Sequence, residues 1–109
     1  MNSYEKIYIF VDDVRAIPKD IPDGMGIVTC RTYKQAIDAI DFFVQRNTKI
    51  ILDLDHDLGC NKSGYDVAKY FVKTGYQNMR FRVHSMNIVG RKNIIELLEH
   101  YGYQKFKTN

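Results

Sequence analysis

Two uninterrupted apolar stretches constrain the fold of this chain more than any other feature. Lys6–Val11 is rich in β-branched and aromatic residues, and Ile50–Leu52 leads directly into a group of acidic residues. Strands with one solvent-exposed face alternate apolar and polar side chains, whereas continuous apolar runs are typical of strands buried on both faces. With helical segments between them, these runs predict a parallel α/β sheet covered on both faces by helices.

The rest of the chain alternates strand and helix signals. Predicted strands span residues 6–11, 27–30, 49–55, 79–83 and 103–106. Predicted helices follow the capping residues Thr32, Ser63 and Asn87, and they end near Asn47, at Gly75 and at Gly102. Residues 14–26 hold two prolines and two glycines without helical periodicity, so they predict a loop in place of the first crossover helix.

Composition indicates one globular domain spanning residues 1–109. The apolar fraction is 45%, no apolar run approaches the roughly 20 residues of a membrane helix, and only two cysteines occur. The first six residues lack the apolar stretch of a secretory signal. We therefore expect a cytoplasmic protein that does not contact membranes. A net charge of +3 permits an anionic ligand, but by itself it does not indicate nucleic acid.

Polar and charged residues follow three of the predicted strands. Asp12–Asp13 closes the first strand, Asp55–Asp57 with its central histidine closes the third, and His84–Ser85 follows the fourth. Ligands of parallel α/β sheets bind beyond the carboxyl ends of the strands, so we expect these residues to meet at one edge. Carboxylates that lie so close together need a positive partner, which is a divalent cation, an arginine or a protonated histidine.

These residue types suggest several roles. Asp12, Asp13 and Asp55 could hold Mg²⁺ or another divalent cation; alternatively, the first two could clamp Arg15 toward a phosphate. Asp53 lies deeper in its strand and is expected to be a buried partner for an arginine or a backbone amide. Simpler interpretations remain, in which Asp12–Asp13 forms a turn beside a solvated arginine and Asp55–Asp57 forms an Asx turn.

The histidines are the candidates for acid–base chemistry. His56 lies between Asp55 and Asp57, whose negative charges stabilise an imidazolium, and His84 ranks second.

The segment that follows the fourth strand predicts a phosphate site. Ser85, Asn87 and the free amides of the next helix form an anion site that Gly90 leaves open, and Arg91 could add its guanidinium group. In the simpler interpretation Asn87 only caps the helix and Arg91 is solvated.

Together, these motifs resemble a known family. The matching segments are Val11–Arg15 with Pro18, Arg31–Tyr33, Leu54–Gly59 with Gly64–Asp66, and Val83–Arg91. In this order and spacing they resemble the cyclic-phosphate-processing receiver-like domains. The resemblance implies a flavodoxin-like three-layer sandwich with a parallel sheet of four to five strands, similar to response-regulator receivers. It also implies processing of cyclic nucleotides or cyclic phosphate ends, in settings of RNA repair or conflict.

This chain departs from ordinary receivers at two places. A proline-containing loop replaces the first crossover helix, and the lysine that receivers carry after the fifth strand has only Lys105 and Lys107 as candidates. His56, Asp57 and His84 resemble additions to the receiver's acidic pocket, which argues against phosphorelay signalling.

The leading hypothesis is a phosphodiesterase that opens a cyclic phosphate on a nucleotide or an RNA end. One histidine, His84 by preference, would activate water and the other, His56, would protonate the leaving oxygen, with Asp55 and Asp57 beside them. The sequence leaves the reversed assignment of acid and base open. Arg15, Arg91 and the helix amides would stabilise the phosphoryl oxygens. Two alternatives remain, a phosphoacceptor module that uses Asp55 and a non-catalytic nucleotide sensor. The substrate and the oligomeric state stay open.

Overall fold

A computed structural model describes residues 5–107 of the chain. The elements in the described part are, in chain order, β1 (Lys6–Val11), β2 (Gly26–Cys30), α1 (Tyr33–Gln45), β3 (Lys49–Leu54), α2 (Gly64–Thr74), β4 (Met79–Val83), α3 (Ile88–His100) and β5 (Gln104–Lys105). The predicted strands and helices are all present, with bounds that differ by one or two residues. The expectation that the chain has no secretory signal depends on the first six residues, which lie mostly outside the described range.

The five strands form one parallel sheet in the order β2-β1-β3-β4-β5. From β2 onward the chain moves across the sheet in one direction, so right-handed crossovers place α1, α2 and α3 on the same face. The step from β1 to β2 runs in the opposite direction, and its connection, residues 12–25, therefore crosses the other face. That connection is a loop, as predicted.

The two faces of the sheet are covered differently. The larger apolar cluster joins alternate strand residues to all three helices, through side chains such as Ile40, Phe71 and Ile94. On the opposite face, Tyr8, Phe10 and Ile51 pack against Ile21 and Met25 of the loop and against Phe106. The expectation that helices cover both faces is therefore correct for one face only, because the outer layer of the second face is a loop.

Local capping defines the helix ends. The Thr32 hydroxyl accepts a hydrogen bond from the Gln35 amide at 3.1 Å, and the Asn87 side chain accepts one from the Gly90 amide at 2.9 Å. Gly75 ends α2 in the left-handed conformation with φ of 70°. These contacts confirm the helix starts and stops that the sequence predicts. None of the helices in residues 5–107 is long and apolar enough to cross a membrane.

Candidate active site

Side chains at the carboxyl edge of the sheet lie on two sides, because successive strand residues point to opposite faces. His84 stacks on Phe10, which belongs to the loop-covered face, with ring centroids 4.9 Å apart and an interplanar angle of 18°. His56 lies instead against Gly90 of α3, on the helix-covered side. The two histidines therefore occupy opposite sides of one edge.

His84 is held between two buried carboxylates. Its Nδ1 lies 2.6 Å from Asp53 Oδ1, and its Nε2 lies 2.8 Å from Asp12 Oδ2. Carboxylates accept hydrogen bonds and do not donate them when ionised, so both ring nitrogens must carry protons. This geometry makes His84 an imidazolium and supplies the positive partner that the clustered acids require. We call Asp12, Asp53, Asp55 and His84 the acidic pocket.

The pKa values of the pair agree with this charge state. Burial alone would lower the pKa of His84, but its hydrogen bonds and charge interactions with Asp53 and Asp12 outweigh burial and raise the pKa. For Asp12, burial would raise the pKa, but backbone hydrogen bonds from Arg15 and Val14, together with His84, lower it. Both shifts favour the ion pair over the neutral pair.

A chain of polar side chains runs from the acidic pocket to the loop. Tyr8 donates its buried hydroxyl to Asp53 Oδ2, and burial followed by the charge of Asp53 raises the pKa of Tyr8. Arg82 Nη1 lies 3.4 Å from the Tyr8 hydroxyl, and the same guanidinium binds both carboxylate oxygens of Asp20 at 3.0 Å. Both carboxylate oxygens of Asp53 thus have hydrogen-bond partners. The pair of Asp20 and Arg82 joins the loop after β1 to β4, the strand that directly precedes His84.

The turn after β1 and the end of β2 each place one arginine at the pocket. Asp12 Oδ1 accepts the amides of Val14 and Arg15 at 2.9 and 2.8 Å, which folds this segment back over the sheet edge. Arg15 Nη1 donates to the His84 carbonyl at 3.1 Å, and its Nε lies 3.9 Å from Asp12 Oδ2. Arg31 Nη1 donates to the carbonyls of Asp12 and Arg15. His84 and Arg15 thus place positive charge beside Asp12, and Arg31 binds the backbone next to it.

Asp55 differs from the other acids of the pocket. It is 8% exposed, and its carboxylate has no hydrogen-bond partner among residues 5–107. Ligand atoms of Asp55, Asp12 and His84 lie within 4.8 Å of one another. Asp13 is outside this group, and its carboxylate instead faces Gly59. The predicted set of Asp12, Asp13 and Asp55 is therefore not gathered as expected.

The pocket does not fit a magnesium ion in this arrangement. Magnesium takes oxygen ligands in octahedral geometry, whereas the third group here is a protonated imidazole. Both oxygens of Asp12 already accept hydrogen bonds, from two amides and from His84. A divalent cation stays a prediction, and His84 provides the compensating charge in the structure described.

His56 forms a second group with Asp57 and Asn87. Its Nδ1 lies 2.9 Å from Asp57 Oδ1, and Asn87 Nδ2 lies 3.4 Å from each of these atoms. The hydrogen bond from His56 and the amide of Asn87 lower the pKa of Asp57 against the effect of burial. When Asp57 holds a proton on Nδ1, the Nε2 atom of a neutral His56 keeps its lone pair and can accept a proton.

Gly90 admits the His56 ring to this position. A Cβ atom at residue 90 would lie 2.3 Å from His56 Cγ, which is closer than any real contact. The sequence predicts that Gly90 leaves space for an anion, but the His56 imidazole occupies that space. The Asn87 amide donates to the Ser85 hydroxyl at 3.0 Å, so Ser85 and Asn87 shape the helix start. The amides of Ile88 and Val89 begin α3 and have no partner within the helix.

Arg91 does not reach the site. It is exposed and lines a separate cavity of about 230 Å³ at the edge of β4, together with Val83, Lys105 and Phe106. The structure places Arg15 beside His84, whereas the Arg91 side chain has no hydrogen bond or ion pair with any described residue, and only its backbone amide contacts the site, by donating to the Asn87 carbonyl. The predicted convergence of Arg91 with the histidines is not found, because its side chain leaves the first turn of α3 toward β4 and β5.

Sequence reasoning missed the second layer of the site. Tyr8, Arg31 and Arg82 were not considered as site residues, although Asp53 and Arg82 are paired in the register of β3 and β4. Strand alternation could have identified Tyr8, because residues 8, 10 and 12 lie on the same face of β1 and its continuation. Asp53 is a buried partner, as predicted, but it binds a tyrosine and a histidine.

Comparison with known proteins adds the family. The sequence model of the cyclic-phosphate processing receiver domain matches residues 7–100. The chain belongs to this family. No curated protein matches it. The fold is similar to that of a CheY-like response regulator receiver domain from Methanospirillum hungatei JF-1, with a TM-score of 0.51 and 11% sequence identity over 91% of this chain and 96% of that one. At this identity the likeness concerns the fold alone, and it confirms the predicted receiver-like class.

Proposed function

We propose that this domain is a phosphodiesterase that hydrolyses a cyclic phosphate at the carboxyl edge of its sheet. The observation that carries the proposal is the clamping of His84 as an imidazolium by Asp53 and Asp12, at 2.6 and 2.8 Å. Membership in a cyclic-phosphate processing family supports the substrate class. A receiver that only accepts phosphate has no evident need for a buried imidazolium beside its acidic residues.

The geometry favours His84 as the acid and His56 as the base, the reverse of the assignment preferred from the sequence. His84 has no free ring nitrogen, so it is the proton donor, whereas His56 has a free Nε2 and an Asp57 partner that orients its ring. In the proposed reaction, water loses a proton to His56 Nε2 as its oxygen bonds to phosphorus. The bond from phosphorus to the sugar oxygen breaks, and that oxygen takes the Nε2 proton of His84, whose hydrogen bond to Asp12 is exchanged for one to the substrate. Solvent then returns both histidines to their starting states.

The substrate phosphate would lie on the sheet edge between the two histidines. Arg15 and the free amides of Ile88 and Val89 would stabilise its oxygens as negative charge grows. Repulsion by the carboxylates is reduced, because His84 contacts Asp12 and Asp53 and Arg15 Nε lies 3.9 Å from Asp12. The mechanism therefore needs no step through a metal ion.

The test is a hydrolysis screen on 2′,3′-cyclic mononucleotides, 3′,5′-cyclic mononucleotides and RNA ended by a cyclic phosphate, in EDTA and with divalent ions. Turnover in EDTA is expected for at least one class. His56→Ala and His84→Ala should each lower kcat by about 10²–10⁴-fold. Asp57→Asn should lower it less, and Asp23→Asn, a matched change at an exposed loop acid, should leave it unchanged. Full activity in both histidine variants would refute the mechanism, and binding without turnover would indicate a sensor.

A phosphoacceptor role for Asp55 is the second candidate. The observation in its favour is the buried Asp55 carboxylate without a hydrogen-bond partner in the described part of the chain, at the end of β3 in a receiver-like fold. Incubation with acetyl phosphate and Mg²⁺, followed by mass spectrometry, tests it. Labelling that Asp55→Asn abolishes, in a protein without diesterase activity, would favour this role. Diesterase activity without labelling would exclude it.

A further inference from the structure

A groove between α2 and α3 begins at the proposed base. It has a volume of about 770 Å³ and is lined by eight residues, including His56 at one end and His100 and Tyr101 at the other. This volume lies within the roughly 300–1,000 Å³ that small-molecule sites occupy. Along α3, the ten residue steps from Gly90 to His100 extend about 15 Å at the rise of an α-helix. The groove therefore offers a site next to the reacting phosphate for the rest of the substrate.

The walls of the groove have the chemistry of a base-binding site. Tyr65 of α2 and Tyr101 after α3 present aromatic rings, and Tyr101 is 52% exposed. The rings of His100 and Tyr101 stand at 85° to each other with centroids 5.0 Å apart, so they form a corner against which a planar ring can pack. Every nucleobase can stack on an aromatic ring, regardless of its sequence identity.

Polar groups on α3 complement these rings. Asn93 is exposed and has no hydrogen-bond partner among the described residues, so its amide can both donate and accept. Glu96 lies 3.8 Å from Lys92 Nζ in an exposed pair, which leaves its carboxylate able to accept from a base N–H. Both side chains line the groove.

The groove is unsuited to a second phosphate. None of the described residues that line it is a lysine or an arginine, and Glu96 adds a negative charge. Lys69 Nζ lies 5.9 Å from the centroid of the Tyr65 ring, and Lys92 Nζ lies 3.8 Å from Glu96. The cations beside the groove are therefore few and one is already paired, whereas binding of a nucleic-acid strand depends on cations that neutralise successive phosphates. A ligand with one phosphate at the sheet edge and one uncharged nucleoside is therefore favoured over an RNA strand or a dinucleotide.

We infer that the α2–α3 groove binds the nucleoside of a mononucleoside cyclic phosphate. This inference rests on the proposed function for the position of the phosphate. The base stacks at the Tyr101 end, Asn93 and Glu96 contact its polar edge, and the sugar lies toward His56. The groove thus sets affinity for the substrate without taking part in the chemical step.

The experiment compares the hydrolysis of 2′,3′-cyclic AMP with that of glycerol 1,2-cyclic phosphate, which lacks a base. Tyr101→Ala should raise KM for the nucleotide roughly tenfold with little change in kcat, and should not change the kinetics of the glycerol ester. Glu96→Gln should raise the nucleotide KM in the same way. Glu99→Gln is the matched control, since it changes the same residue type on α3 outside the groove. Equal effects on both substrates, or no effect of either groove variant, would overturn the inference.

Two further measurements separate this inference from the proposed function. A trinucleotide ended by a 2′,3′-cyclic phosphate should have a KM no lower than that of 2′,3′-cyclic AMP, and a lower KM with steep salt dependence would overturn the choice of a mononucleotide. Titration of the labelled protein with adenosine 2′-monophosphate should shift the amide signals of Asn93, Leu97 and Tyr101 saturably. If those signals shift but no cyclic phosphate is hydrolysed, nucleoside binding in the groove is supported and phosphodiesterase activity is refuted. If cyclic phosphates are hydrolysed but the kinetics do not depend on the base, phosphodiesterase activity is supported and nucleoside binding in the groove is refuted.

Discussion

At the scale of single residues, His84 acts as an internal cation. Three carboxylates cannot remain ionised together in a buried pocket unless positive charge lies between them. His84 satisfies this requirement with two short hydrogen bonds to groups from β1 and β3. The stability of the fold and the protonation of the proposed acid are therefore linked.

The linkage predicts how stability depends on pH. The pKa of His84 is raised above its ordinary 6.5, so its contribution is complete below pH 6.5 and is lost as pH rises through the folded pKa. The pKa of Asp12 is lowered from 3.8, so its contribution is present above pH 3.8 and is lost as pH falls through the folded pKa. Urea unfolding between pH 5 and 9 should show stability falling above pH 6.5.

Asp53→Asn should flatten the dependence of stability on pH, because it removes the negative charge that offsets the cost of burying the His84 imidazolium. The variant should lose about 3 kcal/mol at pH 6, as expected when one partner of a buried ion pair is removed. NMR titration of the His84 ring should report a lower pKa than in the native protein. An unchanged His84 pKa in Asp53→Asn would contradict the assignment of the charge.

Tyr8 should matter through its hydroxyl rather than its ring. Tyr8→Phe keeps the buried aromatic volume but leaves Asp53 Oδ2 without its donor. A buried acceptor without a partner costs about 1–3 kcal/mol, so the variant should unfold at correspondingly lower urea concentration. Tyr101→Phe, at an exposed position, is the control and should have native stability. Equal stability of both variants would show that Asp53 does not depend on Tyr8.

At the scale of elements, a glycine at the start of α2 and another at the start of α3 let the two helices lie close to the residues that follow β3. A Cβ atom at Gly64 would lie 1.9 Å from the Asp55 carbonyl oxygen, whereas one at Gly90 would meet the His56 ring. The first obstacle is backbone, which cannot move without shifting β3. The second is a side chain, which can rotate away.

The same substitution should therefore have different results at the two glycines. Gly64→Ala should destabilise the fold by about 3 kcal/mol, as overpacking against fixed backbone does. Gly90→Ala should change stability by no more than about 1 kcal/mol, because the helix gains from alanine. It should nevertheless lower diesterase activity about as much as His56→Ala. Lys92→Ala, on the exposed side of α3, serves as the control, and native activity in Gly90→Ala would count against His56 as the base.

At the scale of the whole molecule, one face of the sheet depends on a loop. Ile21 and Met25 cover Tyr8 and Phe10, and the pairing of Asp20 with Arg82 holds the loop in place. A loop makes fewer cooperative contacts than a helix, so this face should open at lower free energy than the helix-covered face.

Hydrogen exchange can measure this asymmetry. Amides of residues 16–24 should exchange well before those of β1, β3 and α2. The amides of Val14 and Arg15 should be slower than the rest of the loop, because both donate to Asp12 Oδ1. Protection of residues 16–24 equal to that of the strands would contradict the expected weakness of this face.

Much of the fold was predictable because its signals are local. The continuous apolar run of Lys6–Val11 identified β1, and the caps Thr32 and Asn87 located the starts of α1 and α3. Hydrophobic periodicity and capping involve residues a few positions apart, so a single segment contains the necessary information. The convergence of Asp12, Asp55 and His84 was also predictable, since it follows from parallel strands alone.

The sequence by itself thus determined the order of the elements, the loop after β1 and the edge that collects the polar residues. Only the tertiary structure decided which side chains bind one another there. Asp12 and His84 are 72 positions apart and Tyr8 and Asp53 are 45 apart, so their pairing depends on strand order and register. The same register directs His84 toward the loop and His56 toward the helices. No local pattern contains that information, because it arises only when distant strands are aligned in one sheet.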